Sequence, residues 1–247
     1  MTPATYDSIG TGYSAVRRAD PRVESQIHRA LGDAASVVNV GAGSGSYEPD
    51  EVMTVAVEPS EVMIRQRSSG SAPVVRARAE HLPFGDKAFD VAMALLTVHH
   101  WAEPEAGLAE LQRVGSRQVV LTWDPEVFEQ EFWFTRDYLA SGRQAAEHGT
   151  APLISAFLGP DTEVDPVPVP ADCTDGFYAA YWARPVAFLD AGVRDGISAF
   201  ALEDPHVVAA AVDRLATDLA SGEWDRRYGE LRTLDALDLG YRLVIAG

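Results

Sequence analysis

Three glycines alternate with small residues in Gly41-Ala42-Gly43-Ser44-Gly45, directly behind the apolar run VVNV. Glycines so spaced after a strand permit a tight turn and let a ligand approach the backbone closely, so a cofactor is expected there; an ordinary strand-to-helix loop is the alternative. The dinucleotide fingerprint G-x-G-x-x-G would need glycine at position 46, where Ser46 stands. Only about ten residues, Pro49 among them, separate Gly45 from the next apolar run, which leaves little room for a helix whose N-terminus holds a pyrophosphate. That next run, TVAV, ends in Glu58. A carboxylate at the tip of a second strand accepts hydrogen bonds from both hydroxyls of a ribose, so the expected ligand carries a ribose and needs no phosphate. An exposed loop glutamate is the competing reading.

His99 and His100 follow the run VAMALL. Imidazole is the side chain whose ordinary pKa suits proton transfer near neutral pH, and the same pair, ahead of Trp101, also fits a packing element. His148 beside Glu147 is equally well a helix end. The sequence has no closely spaced Cys/His set for zinc, no G-x-S-x-G elbow and no P-loop lysine. No metal is therefore expected.

The elements that must position these groups alternate in type. Ser36–Val40, Thr54–Val57, Val74–Arg76, Phe89–Leu95 and Gln118–Trp123 read as strands, and VAMALL and VVLTW are continuous enough in aliphatic character to be buried on both faces. Between them Asp20–Leu31, Ser60–Arg67 and Glu103–Val114 begin at helix-starting residues. This alternation predicts an α/β fold, a doubly wound, mostly parallel sheet with helices on both faces. Beyond Trp123 the pattern changes to two aromatic-rich segments read as helical, EVFEQEFWFTRDYLA and FYAAYWARPVAFLDAG, separated by DPVPVPADCTDG. These suggest a helical cap. Phe132, Trp133, Phe134, Tyr138, Phe177, Tyr178, Tyr181, Trp182 and Phe188 either line a pocket for a flat or apolar molecule or form core. Tyr241–Ala246 is a candidate last strand.

The whole chain, 1–247, reads as one domain: a lid over 1–32, a cofactor-binding core over 33–123, a substrate cap with a sixth strand over 124–195, and C-terminal helices with the last strand over 196–247. With 20 basic against 37 acidic side chains the formal charge is −17, which repels nucleic-acid phosphates and anionic lipid at long range. No nucleic-acid or membrane partner is expected. The longest apolar stretch, Val91 to Val98, is far short of the ~20 residues that span a bilayer. One cysteine, Cys173, and the absence of a basic-then-apolar leader fit a cytoplasmic protein.

Taken in order, VVNVGAGSG, VAVEPSEVMIRQR, ARAEHLPFGDKAFDVAMALLTVHHW and LAELQRV resemble the class I S-adenosylmethionine-dependent methyltransferases, in the type 11 group that includes ubiquinone- and menaquinone-methyltransferase-like enzymes. The resemblance covers residues 5–123 and implies a Rossmann-like seven-stranded sheet with S-adenosylmethionine as cofactor. It implies that Gly41, Gly43 and Gly45 approach the methionine part, that Glu58 holds the ribose, that Ala79 and Glu80 lie beside the adenine, that Leu96 and Thr97 sit near the sulfonium, and that Ala42 and Pro59 also contact the cofactor. YDSIGTGYSAVRR resembles the family's lid, making Tyr13 and Arg17 candidates to cover the cofactor, Arg17 by pairing its carboxylate; either is otherwise surface structure. Three departures stand out: Asn39 where an aspartate is usual, Arg78 where an acidic residue often meets the adenine amino group, and a shortened first crossover helix.

Methyl transfer from a sulfonium is an in-line displacement with a neutral leaving group, so alignment and exclusion of water carry most of the catalysis. If the acceptor is a phenol, amide or carbon acid, His100 or His99 is the candidate base. The expected acceptor is a small molecule, aromatic or apolar, methylated on oxygen, nitrogen or carbon by a monomer or homodimer. Two other readings stay open: a catalytically silent S-adenosylmethionine-binding sensor or scaffold, and a nicotinamide-dependent oxidoreductase.

Overall fold

The computed structural model describes residues 17–139 and 148–247. Tyr13 and Glu147 fall outside them. Seven strands form the main sheet in the order β3-β2-β1-β4-β5-β9-β6. They are β1 (Ser36–Val40), β2 (Met53–Val57), β3 (Val74–Val75), β4 (Phe89–Leu95), β5 (Gly115–Trp123), β6 (Glu163–Pro166) and β9 (Tyr241–Ala246). β7 (Val169–Pro170) and β8 (Ala236–Leu237) make a separate two-stranded ribbon.

The first five strands run parallel, with Val38 opposite Val55 on one side and Ala92 on the other, and Met93 opposite Val119. β9 enters antiparallel between β5 and β6, Leu121 facing Leu243 and Val164 facing Val244. This is the expected Rossmann-like sheet, with Tyr241–Ala246 as its last strand in sequence. The chain winds outward from β1 to β3 and then returns to β4 beside β1, so the switch point lies between β1 and β4 at their C-terminal ends, where such sheets bind ligands.

Side-chain alternation divides the core in two. Val37, Val91, Met93, Val119 and Leu121 face one side and Val38, Val40, Ala92, Ala94 and Val120 the other. On the first side lies α1 (Pro21–Leu31), through Val23, Ile27 and Leu31. The second is covered by α3 (Pro104–Val114), through Leu108, Leu111 and Val114, and by α6 (Ala151–Leu158), through Ala151 and Ile154. Asp20 caps α1 by accepting from the Arg22 N–H, and Ser60 caps the one-turn α2 (Glu61–Arg65) from the Met63 N–H.

The cap departs from the sequence reading. EVFEQEFWFTRDYLA forms two short helices, α4 (Pro125–Glu131) and α5 (Trp133–Asp137), because Phe132 between them is extended, φ −84° and ψ 97°. The second aromatic segment forms two 3-10 stretches, Tyr178–Tyr181 and Pro185–Leu189, and enters an α-helix only at its last two residues, Ala191 and Gly192. Pro185 has no N–H to continue a helix and pushes Arg184 out of the α region. α7 (Ala191–Asp195), α8 (Ser198–Ala201), α9 (Pro205–Ser221) and α10 (Glu223–Tyr228) complete the chain before β8. Among the described residues no helix is long and apolar enough to cross a membrane.

Candidate active site

A cavity of about 330 Å³ opens over the C-terminal ends of β1, β2 and β4, a volume within the range of small-molecule sites. Its floor is the turn after β1. Gly41 and Gly43 have φ of +73° and +53°, backbone that side chains other than glycine adopt only with strain. A Cβ on Gly41 would stand 2.1 Å from Thr97 Oγ1, whereas one on Gly43 would meet only Met63 Cε, at 3.4 Å. Gly41 thus lets the chain after β4 close against the turn, and Gly43 keeps the backbone bare toward the cavity. Ala42 lines it too. Gly45, with φ +95°, does not, and a Cβ there would press on Ser71 Oγ, Glu48 Oε2 and Arg67 Nη1 at 3.0, 3.1 and 3.2 Å.

Sequence reasoning missed Glu48 and Arg67, which hold this turn from behind. Arg67 Nη2 donates to both Glu48 oxygens at 2.8 Å, and Nη1 donates to the Gly43 carbonyl at 3.2 Å. Glu48 also accepts from the Ala72 N–H and from Asn39 Nδ2. Asn39 thus joins the hydrogen-bonded group behind the turn through Glu48. Its Oδ1 is buried at the cavity with no partner among the described residues, an acceptor suited to a ligand N–H.

Glu58 sits under the turn, 5% exposed. Its Oε2 accepts from the Gly43 N–H and its Oε1 from the Ser60 N–H, each at 2.8 Å. These two bonds fix the orientation of the carboxylate at the cavity wall. Pro59 and Ala79 line the cavity beside it. Glu80 lines it as well, and its Oε1 also receives the N–H groups of Ala102 and Glu103 at 2.9 and 3.2 Å, which ties it to the start of α3. Arg78 is on the same wall.

The opposite end is formed after β4. Leu96 has φ +52°, rare outside glycine, and its N–H bonds the Leu121 carbonyl at 2.8 Å; this turn delivers Thr97 to the cavity wall. His100 lines the cavity and His99 does not. The His99 ring lies behind, 3.8 Å from His100 and 4.7 Å from Trp123 between ring centroids. Burial lowers the His100 pKa to about 4, and burial followed by the neighbouring His100 holds His99 well below its ordinary value. Both are neutral imidazoles at neutral pH. Arg17 reaches the cavity from ahead of α1, paired to Asp175. None of the cap aromatics named from the sequence lines this cavity; most are core, with Phe132, Trp133, Phe134, Trp182 and Phe188 at 0% exposure.

The groups present fit S-adenosylmethionine: a glycine floor, a buried carboxylate, a buried amide oxygen and a guanidinium. Among the described residues there is no metal-holding group of histidine, cysteine and carboxylate side chains.

Residues 38–121 match a family described as a methyltransferase domain. A protein from Anabaena variabilis, described as a methyltransferase from an antibiotic biosynthesis pathway, is 32% identical and superposes with a TM-score of 0.87 over 94% of this chain and 99% of its own. The cyclase SpnF shares the fold, TM-score 0.51 at 16% identity over 98% and 95% of the two chains. A tRNA (carboxymethyluridine(34)-5-O)-methyltransferase of Schizosaccharomyces pombe is 23% identical over 139 residues, 53% of this chain and 61% of that protein, so the chain matches less than two thirds of that relative's length. With the sheet order, the glycine turn and a full-length relative in agreement, the chain belongs to the class I S-adenosylmethionine-dependent methyltransferases of the type 11 group.

Proposed function

We propose that this methyltransferase acts on a small-molecule acceptor, apolar or aromatic in part, which approaches the cavity at its Leu96, Thr97 and His100 end. The observation that carries the reading is the carboxylate of Glu58, clamped by two backbone N–H groups beneath a glycine-rich turn. Residues 33–123 bind the cofactor, with Gly41, Ala42 and Gly43 against its methionine part, Glu58 and Pro59 at the ribose, and Ala79 and Glu80 beside the adenine. Arg17 pairs with the cofactor's carboxylate. Residues 124–195 shape the acceptor side. The cofactor supplies an electrophilic methyl group; the protein aligns the acceptor with it and keeps water out.

His100 orients the acceptor as a neutral hydrogen-bonding group. A proton accepted at an imidazole whose pKa is about 4 is held weakly, so an acceptor that is already nucleophilic at neutral pH suits this site better than one that needs a strong base. His99 packs behind it. The net charge of −17 favours a small molecule over RNA, because an acidic surface raises the cost of approach by a polyanion. A cytoplasmic setting accords with Cys173, buried and with its thiol pushed up to about 12 by burial.

Calorimetric titration with S-adenosylmethionine, S-adenosylhomocysteine and NADH, followed by an acceptor screen with radiolabelled methyl donor, tests this. Binding of the first two alone and label transfer to a small molecule is the expected result. Label appearing only in bulk tRNA would overturn the acceptor class, and binding without transfer to any acceptor would leave a sensor or scaffold.

A further inference from the structure

Asp175 lies in the cap, yet it is tied to two other parts of the chain at the cofactor cavity. Its side chain is 0% exposed and receives Arg17 Nε at 2.6 Å, Arg17 Nη2 at 3.1 Å and the Tyr47 hydroxyl at 2.7 Å. Arg17 precedes α1 and Tyr47 belongs to the crossover after β1; both line the cavity, with Asp175 directly behind them. The neighbouring Thr174 is anchored in the same direction, its N–H and hydroxyl donating to the buried Asp20 carboxylate at 3.0 and 3.4 Å. This stretch runs on into Phe177, whose ring meets Tyr241, and Tyr178, whose hydroxyl pairs with Thr135.

A guanidinium carries five N–H donors in a rigid plane. Fixing two of them on Asp175 therefore sets where the others point, and Arg17, 11% exposed, stands at the cavity wall. We propose that Asp175 is a positioning residue for the cofactor: together with Tyr47 it aims Arg17 at the carboxylate of the methionine part, and by doing so couples cofactor binding to the seating of the cap segment 172–178. The coupling is reciprocal, as any linkage between two sites must be. The proposal rests on the reading that Arg17 faces that carboxylate. Competition, in which the cofactor draws Arg17 off Asp175, is disfavoured by burial. It would leave an enclosed carboxylate with the Tyr47 hydroxyl in place of a charge-assisted pair.

The test compares two ligands by calorimetry: S-adenosylhomocysteine, which has the amino-acid carboxylate, and methylthioadenosine, which lacks it. Asp175→Asn is expected to weaken the first about tenfold or more, the scale of one lost charge-assisted contact, and to leave the second within about twofold. Tyr47→Phe removes one of the three donors without a change of charge and is expected to show the same selectivity at about threefold, which decides the matter if Asp175→Asn does not fold. Adding Asp175→Asn to Arg17→Ala should produce no further loss. Equal weakening of both ligands would reduce Asp175 to a structural residue, and tighter S-adenosylhomocysteine binding would mean competition; either overturns the proposal. If Arg17→Ala itself has no selective effect, the Arg17 assignment fails first, and that outcome is distinct from an Arg17 effect that Asp175→Asn does not reproduce.

Discussion

The glycine turn and the aromatic cap put opposite designs next to each other. In the turn, Gly41 and Gly43 leave the backbone bare and only small side chains such as Ala42 and Ser44 stand at the cavity; in the cap, the largest side chains of the protein close on one another. Phe134 and Phe188 stack at 4.4 Å between centroids, and Trp133 meets Trp224 edge-on at 5.3 Å. Two of the indoles are also satisfied internally, Trp133 Nε1 donating to the Trp182 carbonyl and Trp182 Nε1 to that of Val169. Aromatic density here marks where the chain packs. The proposed cofactor site is marked instead by glycines next to a buried carboxylate.

Gly41→Val is the sharpest way to break that contrast. The new Cβ would sit 2.1 Å from Thr97 Oγ1 on backbone with φ +73°, so neither a rotamer change nor a small shift accommodates it. S-adenosylmethionine binding is expected to vanish, read by calorimetry on protein whose circular dichroism is checked first. A folded variant that binds normally would refute the turn as cofactor floor. Trp133→Ala should do the reverse, lowering unfolding free energy in denaturant by about 3–5 kcal/mol, the cost of an emptied aromatic core position. Cofactor affinity should stay within about threefold of wild type. Loss of affinity with intact stability would mean the cap aromatics reach the site after all.

The same contrast explains what could be read from the sequence. Glu58, the glycines and the strand tips are local signals, each set by a few consecutive residues at the end of an apolar run, and the caps Asp20 and Ser60 are local in the same way. Glu48 with Arg67 is a pair 19 residues apart, and Asp175 with Arg17 a pair 158 apart; no short pattern marks either, because the sheet brings them together only once it has formed. Gly45 shares the spacing of Gly41 and Gly43, but a Cβ there would press on Glu48 and Arg67, so the spacing alone does not tell which glycine faces the cavity and which faces the pair behind the turn. The aromatic segments looked helical by composition, but Phe132 and Pro185 interrupt them.

Glu58→Ala should weaken S-adenosylmethionine binding by about 1–3 kcal/mol, the range for hydrogen bonds to a charged group. It removes the acceptor of the Gly43 N–H as well as the proposed ribose contact, so Glu58→Gln, which retains one carbonyl acceptor, is expected to lose less. Equal affinities for all three proteins would take the ribose away from Glu58 while leaving the turn assignment to Gly41.

The smallest effect concerns His100, and it is a matter of pH. Burial brings its folded pKa to about 4 from an ordinary 6.5, so between those values the unfolded chain binds a proton that the folded chain refuses. Stability from this residue is therefore complete above about pH 6.5 and falls as the pH drops toward 4, by at most about 1.4 kcal/mol for each pH unit. His99, shifted in the same direction, adds to the slope. His100→Gln should flatten the dependence of the urea midpoint on pH across this window, and an unchanged slope would mean that the ring is better solvated than its place in the cavity wall implies. The same displacement bears on turnover. With His100 neutral throughout, kcat for a nucleophilic acceptor should show no limb near pH 6.5, whereas a limb there that disappears in His100→Gln would make His100 a proton-transferring base and move the acceptor toward phenols and carbon acids.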